Sequence, residues 1–384
     1  MSQGTAGVSV IKITDPCLDG VELSAVQEVL ASGQLVQAER VRQFENIFAE
    51  SVGVSHAVMV SSGTAALHLT LLACGIGPGD AVAVPDYTFV ATANAVALTG
   101  ATPLLVDVDA ATCNIDVAAL RRVVERFAAT GAKPRLRMIM PVHQFGLPAE
   151  IDAIATLANE YGLLLVEDAA CAIGSRYHDR HVGTRGQASC FSFHPRKVLT
   201  AGEGGAVVTN DGALAERVRA LRAHGLSVAG DKHTLVTWGF NYRMTEIHAA
   251  IGLAQMSKLE SMLLRRRQLA DRLQEELAGL AWFTRPVVPT HVTPNWQSYV
   301  GVLSPDVSRS QTIERLAASG IEARPPATAI HAMGPYREAA RATGGTFPVA
   351  EMLDRCALAL PLHPRMGEGD VTRVATELRH AGRA

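Results

Sequence analysis

Residues 163–170 read Leu-Leu-Leu-Val-Glu-Asp-Ala-Ala, an apolar run of strand length closed by two carboxylates. A strand without polar alternation is buried on both faces, the mark of a parallel sheet. Working outward, the preceding chain predicts a helix over Glu150–Tyr161, a strand over Arg137–Pro141, a helix over Val117–Thr130 and a strand over Thr102–Val106. Before these come a helix over Thr88–Leu98, a strand over Ala81–Val84, a helix over Ala65–Ala73 and a strand over His56–Val60. Strands alternating with helices of roughly 10–15 residues predict an α/β fold whose mostly parallel sheet is covered by helices on both faces. Two further helices lead in, one marked by Val26, Val29 and Leu30, the other by Val41, Phe44, Ile47 and Phe48.

The pattern changes after residue 250. Met256, Leu259, Leu263, Leu269, Leu273 and Leu277 mark one long helix, whose Arg265-Arg266-Arg267 run reads as a solvated face. A Pro-rich stretch follows, then a strand at Tyr299–Leu303 and helices near 310–319 and 368–380. The expectation is a large domain over residues 1–255 and a smaller C-terminal α/β domain over 256–384.

Composition narrows the function classes. Of 384 residues, 48% are hydrophobic and only 19% charged, which points to a large core with apolar surface left for a subunit interface. Thirty-five basic residues against 37 acidic ones, without a basic stripe, give nucleic-acid binding no electrostatic support. Six cysteines without a CxxC pair fit reduced thiols. No signal-like start and no span of about 20 apolar residues is present, so a cytoplasmic protein without membrane segments is expected. His178 and His181 lack a third partner nearby, so no metal site is expected. Only Lys12, Lys133, Lys197, Lys232 and Lys258 are lysines, which leaves few candidates for amine chemistry.

Three segments stand out. Ser61-Ser62-Gly63-Thr64-Ala65-Ala66-Leu67 joins a strand to a helix, where free N–H groups suit a phosphate or carboxylate; it also suits a plain helix cap. Glu167 and Asp168 close a strand at the end where ligands of open α/β sheets bind, although a helix-capping acid would look the same. Lys197 follows Ser189-Cys190-Phe191-Ser192-Phe193-His194-Pro195-Arg196 and precedes Gly202-Glu203-Gly204-Gly205. An amine in so partly dry a loop can form a Schiff base, and a surface lysine is the alternative. A strand, Ala206–Thr209, follows the glycines, so they read as a tight turn that lets the backbone pass close to a ligand.

In this order, with Ser32-Gly33-Gln34-Leu35, Phe44-Glu45, Gly239-Phe240-Asn241-Tyr242-Arg243-Met244, Gly320-Ile321-Glu322-Ala323-Arg324-Pro325 and Leu360-Pro361-Leu362, the segments resemble the DegT/DnrJ/EryC1/StrS family of pyridoxal-phosphate sugar aminotransferases. The resemblance covers nearly the whole chain. It implies the aspartate-aminotransferase-like fold type I and a homodimer with shared active sites. By matching position, Lys197 would carry pyridoxal 5'-phosphate and move the substrate proton, and Asp168 would pair with the pyridine nitrogen. Phe89 would stack on the ring. Thr64, Ala65 and Ser192 would hold the phosphate, joined by Asn241 from the partner subunit. Arg324 and His331 fall in the substrate-facing region.

Two departures from the family pattern accompany these matches. Cys171 stands where many members place a glutamine that touches the cofactor's phenolic oxygen. Pro326-Ala327-Thr328-Ala329-Ile330 precedes His331 where aromatic residues or histidines are common. Lysine at 197, rather than the histidine of the family's dehydratases, favours transamination. The implied activity is amino transfer from glutamate or glutamine to a nucleotide-linked keto-sugar or a ketocyclitol, in antibiotic-type secondary metabolism or polysaccharide synthesis. The rivals are dehydration or aromatisation on the same scaffold, and a non-catalytic cofactor-binding regulator.

Overall fold

A computed structural model describes residues 10–130, 134–229 and 232–382, which leaves Lys133 outside. Along the chain run α1 (Gly20–Ser32), α2 (Glu39–Val52), β1 (His56–Val60), α3 (Gly63–Ala73), β2 (Asp80–Pro85), α4 (Ala91–Leu98) and β3 (Thr102–Val106). Then come α5 (Val117–Thr130), β4 (Arg135–Ile139), α6 (Ile151–Glu160), β5 (Leu164–Asp168), β6 (Ala188–Ser192), β7 (Gly205–Thr209) and α7 (Gly212–Arg222). The remainder holds α8 (Glu246–Met256), α9 (Leu259–Glu276), β8 (Phe283–Thr284), β9 (Tyr299–Leu303), α10 (Arg309–Ala318), α11 (Gly334–Thr343), α12 (Pro348–Cys356), β10 (Ala357–Leu360) and α13 (Glu368–Ala381).

The seven long strands form one sheet in the order β1-β7-β6-β5-β4-β2-β3. Only β7 runs against its neighbours; the pairs from β6 through β3 are parallel. The continuous apolar runs are explained by burial from both sides. Alternate residues of β1, β6 and β7 go to opposite faces. Val58, Val60, Cys190 and Val207 pack with α3 and α7, whereas Met59, Phe191 and Val208 pack with α2, Ala249 of α8 and Leu263 of α9. The expected α/β layering is therefore present. A three-stranded antiparallel sheet, β8-β9-β10, packs with α10 and α13 around Leu316, Leu358 and Leu378. Among the described residues, no helix is long and apolar enough to cross a membrane.

Three expectations need correction. The helix read from Thr88 starts at Ala91, because Tyr87 and Thr88 form a short strand paired with Thr328–Ala329. A distant partner decided that segment. The long helix read from Met256 is two helices: Met256 closes α8 and Leu259 opens α9, around Ser257 and Lys258. Lys258 turns aside to pair with Glu22 at 2.6 Å and Asp19 at 2.9 Å.

Third, the arginine run is not one solvated face. Arg266 is 2% exposed and donates to the carbonyls of Trp296 (3.1 Å) and Leu362 (2.9 Å). It lies three residues from both Leu263 and Leu269, on the helix's own apolar stripe. Burial without a carboxylate holds its guanidinium down at about 10.

Candidate active site

The site is assembled at the carboxyl ends of the central strands. Pleating sends Glu167 and Asp168, the last residues of β5, to opposite sides. Glu167 is buried and accepts from the N–H groups of Gly183, Arg185 and Gly186, from Ser189 Oγ and from His143 Nε2 (3.0 Å). The Ala149 N–H donates to His143 Nδ1 at 3.0 Å, so the proton sits on Nε2 and points at Glu167. Burial alone would raise the Glu167 carboxyl. The His143 bond and the backbone donors outweigh it and hold the group below its ordinary range. Glu167 is thus structural. It ties the ends of β4, β5 and β6 together.

Asp168 faces the other way with far fewer partners. It is 3% exposed and accepts from Thr92 Oγ1 at 2.8 Å and from the Ala170 N–H at 3.1 Å. Among the described residues no lysine, arginine or histidine lies within ion-pair distance of it. Burial pushes its carboxyl up, against the pull of Thr92, Ala170 and the nearby Lys197 charge. Such a carboxylate lacks an ion-pair partner at contact distance.

Lys197 lies in the loop between β6 and β7. The Ala201 N–H donates to the Phe193 carbonyl (2.9 Å) and the Lys197 N–H to the His194 carbonyl (2.8 Å), which closes the turn. Its half-buried side chain donates from Nζ to Cys171 Sγ at 3.0 Å. Asn295 in turn anchors Cys171, donating to its carbonyl at 2.8 Å. Cys171 therefore meets the lysine itself.

Beside this pocket Ser62 caps α3, accepting the Ala65 N–H at 3.1 Å. Thr64 is exposed and Ala65 buried. Gly63 is pressed against Ser192: a Cβ there would sit 2.7 Å from Ser192 Cβ. That contact brings the helix N-terminus and the Ser192 hydroxyl together. The glycine turn needs a correction. A Cβ on Gly205 would meet the Ser62 carbonyl oxygen at 2.4 Å, so at Gly205 the close approach is to this helix-capping loop.

The other expected residues lie around the rim. Phe89 follows the short strand Tyr87–Thr88 and is 70% exposed. Asn241 is exposed, in a segment whose Tyr242 carbonyl accepts the Ser61 N–H at 2.8 Å. Among the described residues Arg324 has no carboxylate within ion-pair distance; burial and the neighbouring Arg196 charge hold its guanidinium below the usual value. His331 is engaged with Asp86, its Nδ1 2.6 Å from the carboxylate.

Asp86, Thr92 and His143 escaped the sequence reading. Asp86 and His143 follow the ends of β2 and β4, so the strand-end rule that singled out Asp168 would have found both. Thr92 carries no such signal.

Pyridoxal phosphate fits this arrangement. A buried carboxylate without a cation suits a protonated ring nitrogen, an amine stands in the same pocket, and a helix N-terminus with an adjacent hydroxyl suits a phosphate.

Comparison with known proteins agrees. The pattern of the DegT/DnrJ/EryC1/StrS aminotransferase family matches residues 16–379. A GDP-perosamine synthase of Caulobacter vibrioides is 39% identical over 372 residues, 96% of this chain and 97% of that protein. A DegT DnrJ EryC1 StrS aminotransferase from Brucella abortus superposes with a TM-score of 0.88 at 32% identity, covering 95% of this chain and 96% of that one. Helicobacter pylori PseC, an aminotransferase involved in pseudoaminic acid biosynthesis, superposes at 0.90 with 28% identity, covering 97% and 99%. The chain belongs to the DegT/DnrJ/EryC1/StrS family and is a pyridoxal-phosphate-dependent aminotransferase of fold type I.

Proposed function

We propose that this enzyme transfers an amino group from glutamate or glutamine to a nucleotide-linked keto-sugar or a ketocyclitol. The pathway is polysaccharide or secondary-metabolite synthesis in the cytoplasm. The observation that carries the reading is the buried Asp168 carboxylate, without an ion-pair partner among the described residues and within reach of the Lys197 charge. Similarity to a GDP-perosamine synthase supports the nucleotide-sugar acceptor.

The cofactor, when bound, supplies an electron sink for the carbanion left when the substrate loses its proton. The protein's own groups do the rest. Asp168 keeps a cationic ring nitrogen in place, with Thr92 and the Ala170 N–H fixing the carboxylate. Lys197 holds the cofactor and, once its amine is free, takes a proton at Nζ and returns it across the same short distance. Cys171 accepts from that amine and orients it. Phe89 covers the ring; the Thr64 N–H and the Ser192 hydroxyl bind phosphate, joined by the Ala65 N–H once the phosphate displaces Ser62 Oγ from it. Arg324, a half-buried cation without a carboxylate, suits an anionic group of either substrate.

The reading includes a homodimer in which Asn241 of each subunit reaches the other's phosphate. Its support is exposed apolar surface around the rim: Phe89 at 70%, Leu235 at 62%, Val236 at 57% and Trp238 at 89%. Residues 1–255 would form the large cofactor-binding domain and 256–384 the small C-terminal domain.

Adding L-glutamate or L-glutamine alone to the holoenzyme should convert the bound cofactor to its pyridoxamine form, seen by absorbance. Borohydride reduction and peptide mapping should place the cofactor on Lys197. No conversion with either donor, or labelling elsewhere, would overturn the reading. A reverse screen with amino-sugars and the pyridoxal form then identifies the acceptor class.

A further inference from the structure

Outside the Lys197 pocket, the most completely built polar constellation centres on Asp86. This residue follows β2, and its side chain is wholly buried. One carboxylate oxygen accepts the main-chain N–H of His331 at 2.8 Å. The other lies 2.6 Å from His331 Nδ1. The Ile330 N–H donates to the Asp86 carbonyl at 2.7 Å, and Thr328–Ala329 pairs with Tyr87–Thr88. Phe347 stacks on the imidazole, with centroids 4.8 Å apart and planes 23° from parallel. The ring is held by one nitrogen, one face and its own backbone.

Only Nε2 remains, 3.4 Å from a carboxylate oxygen of Glu351, whose side chain is 60% exposed. The constellation also reaches the catalytic carboxylate. On the short strand after Asp86, Thr88 Oγ1 lies 3.3 Å from Thr92 Oγ1, which donates to Asp168. The next residue is Phe89.

We propose that Asp86 is a positioning residue for the acceptor half of the reaction: it locks His331 with Nδ1 inward, so that Nε2, beside Glu351, meets a hydroxyl or carbonyl oxygen of the sugar. This rests on the reading of His331 as acceptor-facing. A carboxylate on Nδ1 fixes the tautomer and makes Nε2 more basic. Burial pushes the Asp86 carboxyl up to about 6, against the pull of its two bonds from His331. The other charged groups facing the pair are Asp107, Glu351 and Asp354. Asp107 is occupied by the N–H groups of Val349 and Ala350, and Asp354 by the Ala329 N–H. Glu351 is the one that lies open.

The test separates the half-reactions of the holoenzyme by cofactor absorbance. L-glutamate probes the donor side. The first amino-sugar to convert the wild-type cofactor in the reverse screen, starting with GDP-perosamine, probes the acceptor side. Asp86→Asn and His331→Asn are each expected to lower acceptor-side kcat/KM about tenfold or more while the glutamate side changes less than twofold. Asp86→Asn should also change the acid limb of the acceptor-side pH profile, because it removes the Asp86 carboxyl that burial raises to about 6. If Asp86→Asn does not fold, Asp86→Ser takes its place.

If no amino-sugar reacts, or His331→Asn leaves the acceptor side unchanged, the acceptor reading itself fails and takes this role with it. If His331→Asn impairs the acceptor side but the Asp86 variants keep wild-type rates and pH limb, the positioning role alone is overturned. Equal loss on both sides also overturns it, as the mark of a merely structural aspartate.

Discussion

Two aspartates lie buried at the carboxyl end of the same sheet, and they are provided for differently. Asp86, after β2, has a partner in its own chain: His331 meets both of its oxygens through backbone and ring. Asp168, at the end of β5, has a hydroxyl and one N–H but no cation. A folded chain pays for a buried charge only where something repays it. Asp86 has a histidine from 245 residues away, which offsets its burial in part, whereas Asp168 has no ion-pair partner among the described residues. The contrast is between a carboxylate with a partner of its own and one that, on the proposed reading, takes its partner from the cofactor.

The comparison can be broken at several points. The largest effect should come from Lys197→Ala, which removes the amine that Asp168's pocket surrounds. Turnover should fall on the order of 10⁴-fold, and cofactor absorbance should show no covalent attachment while the thermal midpoint holds within a few degrees. Wild-type turnover in that variant would detach the Asp168 pocket from the chemistry.

Asp168→Asn should cost roughly 10²–10³-fold in kcat, with a sign reversal in stability. The folded-state pKa of Asp168 is raised, so the folded chain binds this proton more tightly than the unfolded one. Asp168's contribution to the stability of the cofactor-free enzyme should therefore be greatest below the ordinary value of 3.8 and fall as pH rises through the folded value. In cofactor-free Asp168→Asn that slope should vanish and the neutral-pH melting temperature should rise. A wild-type slope would show that Asp168 is not short of a partner.

Glu167→Gln tests the neighbour that is fully provided for. Replacing a five-donor acceptor with an amide should cost about 3 kcal/mol in denaturant unfolding. Here the folded pKa is lowered, so the stabilisation is present above the ordinary 4.5 and is lost as pH falls through the folded value. Thr92→Val should be the mildest, costing about 1 kcal/mol. It should also reduce turnover a few-fold by releasing Asp168. Equal stability costs for Thr92→Val and Glu167→Gln would remove the distinction between the two carboxylates.

Much of this was legible in the residues, element by element. The strands at His56–Val60, Thr102–Val106 and Tyr299–Leu303 begin and end where their apolar runs do. Burial on both faces leaves at most one polar residue, His56 or Thr102, at the start of a run. Tyr87–Thr88 was illegible, because its pairing partner lies 240 residues downstream and nothing local announces it. Arg266 could be found only by asking whether a charge had fallen on the apolar stripe of α9. Cys171 could be flagged from the family pattern, but the distance showed that it meets Lys197 Nζ.

By itself the sequence determined the layered α/β order, the strand-end acids and the single lysine in an aromatic, glycine-flanked loop. These are set by periodicity and local chemistry, which act over a few residues. The tertiary structure alone decided which acid is paired and which is left wanting. It brought Ser192 against the cap of α3, Cys171 against Lys197 and His331 against Asp86. Each of those contacts depends on where distant strands end in space, and hydrophobic burial of the whole sheet sets that.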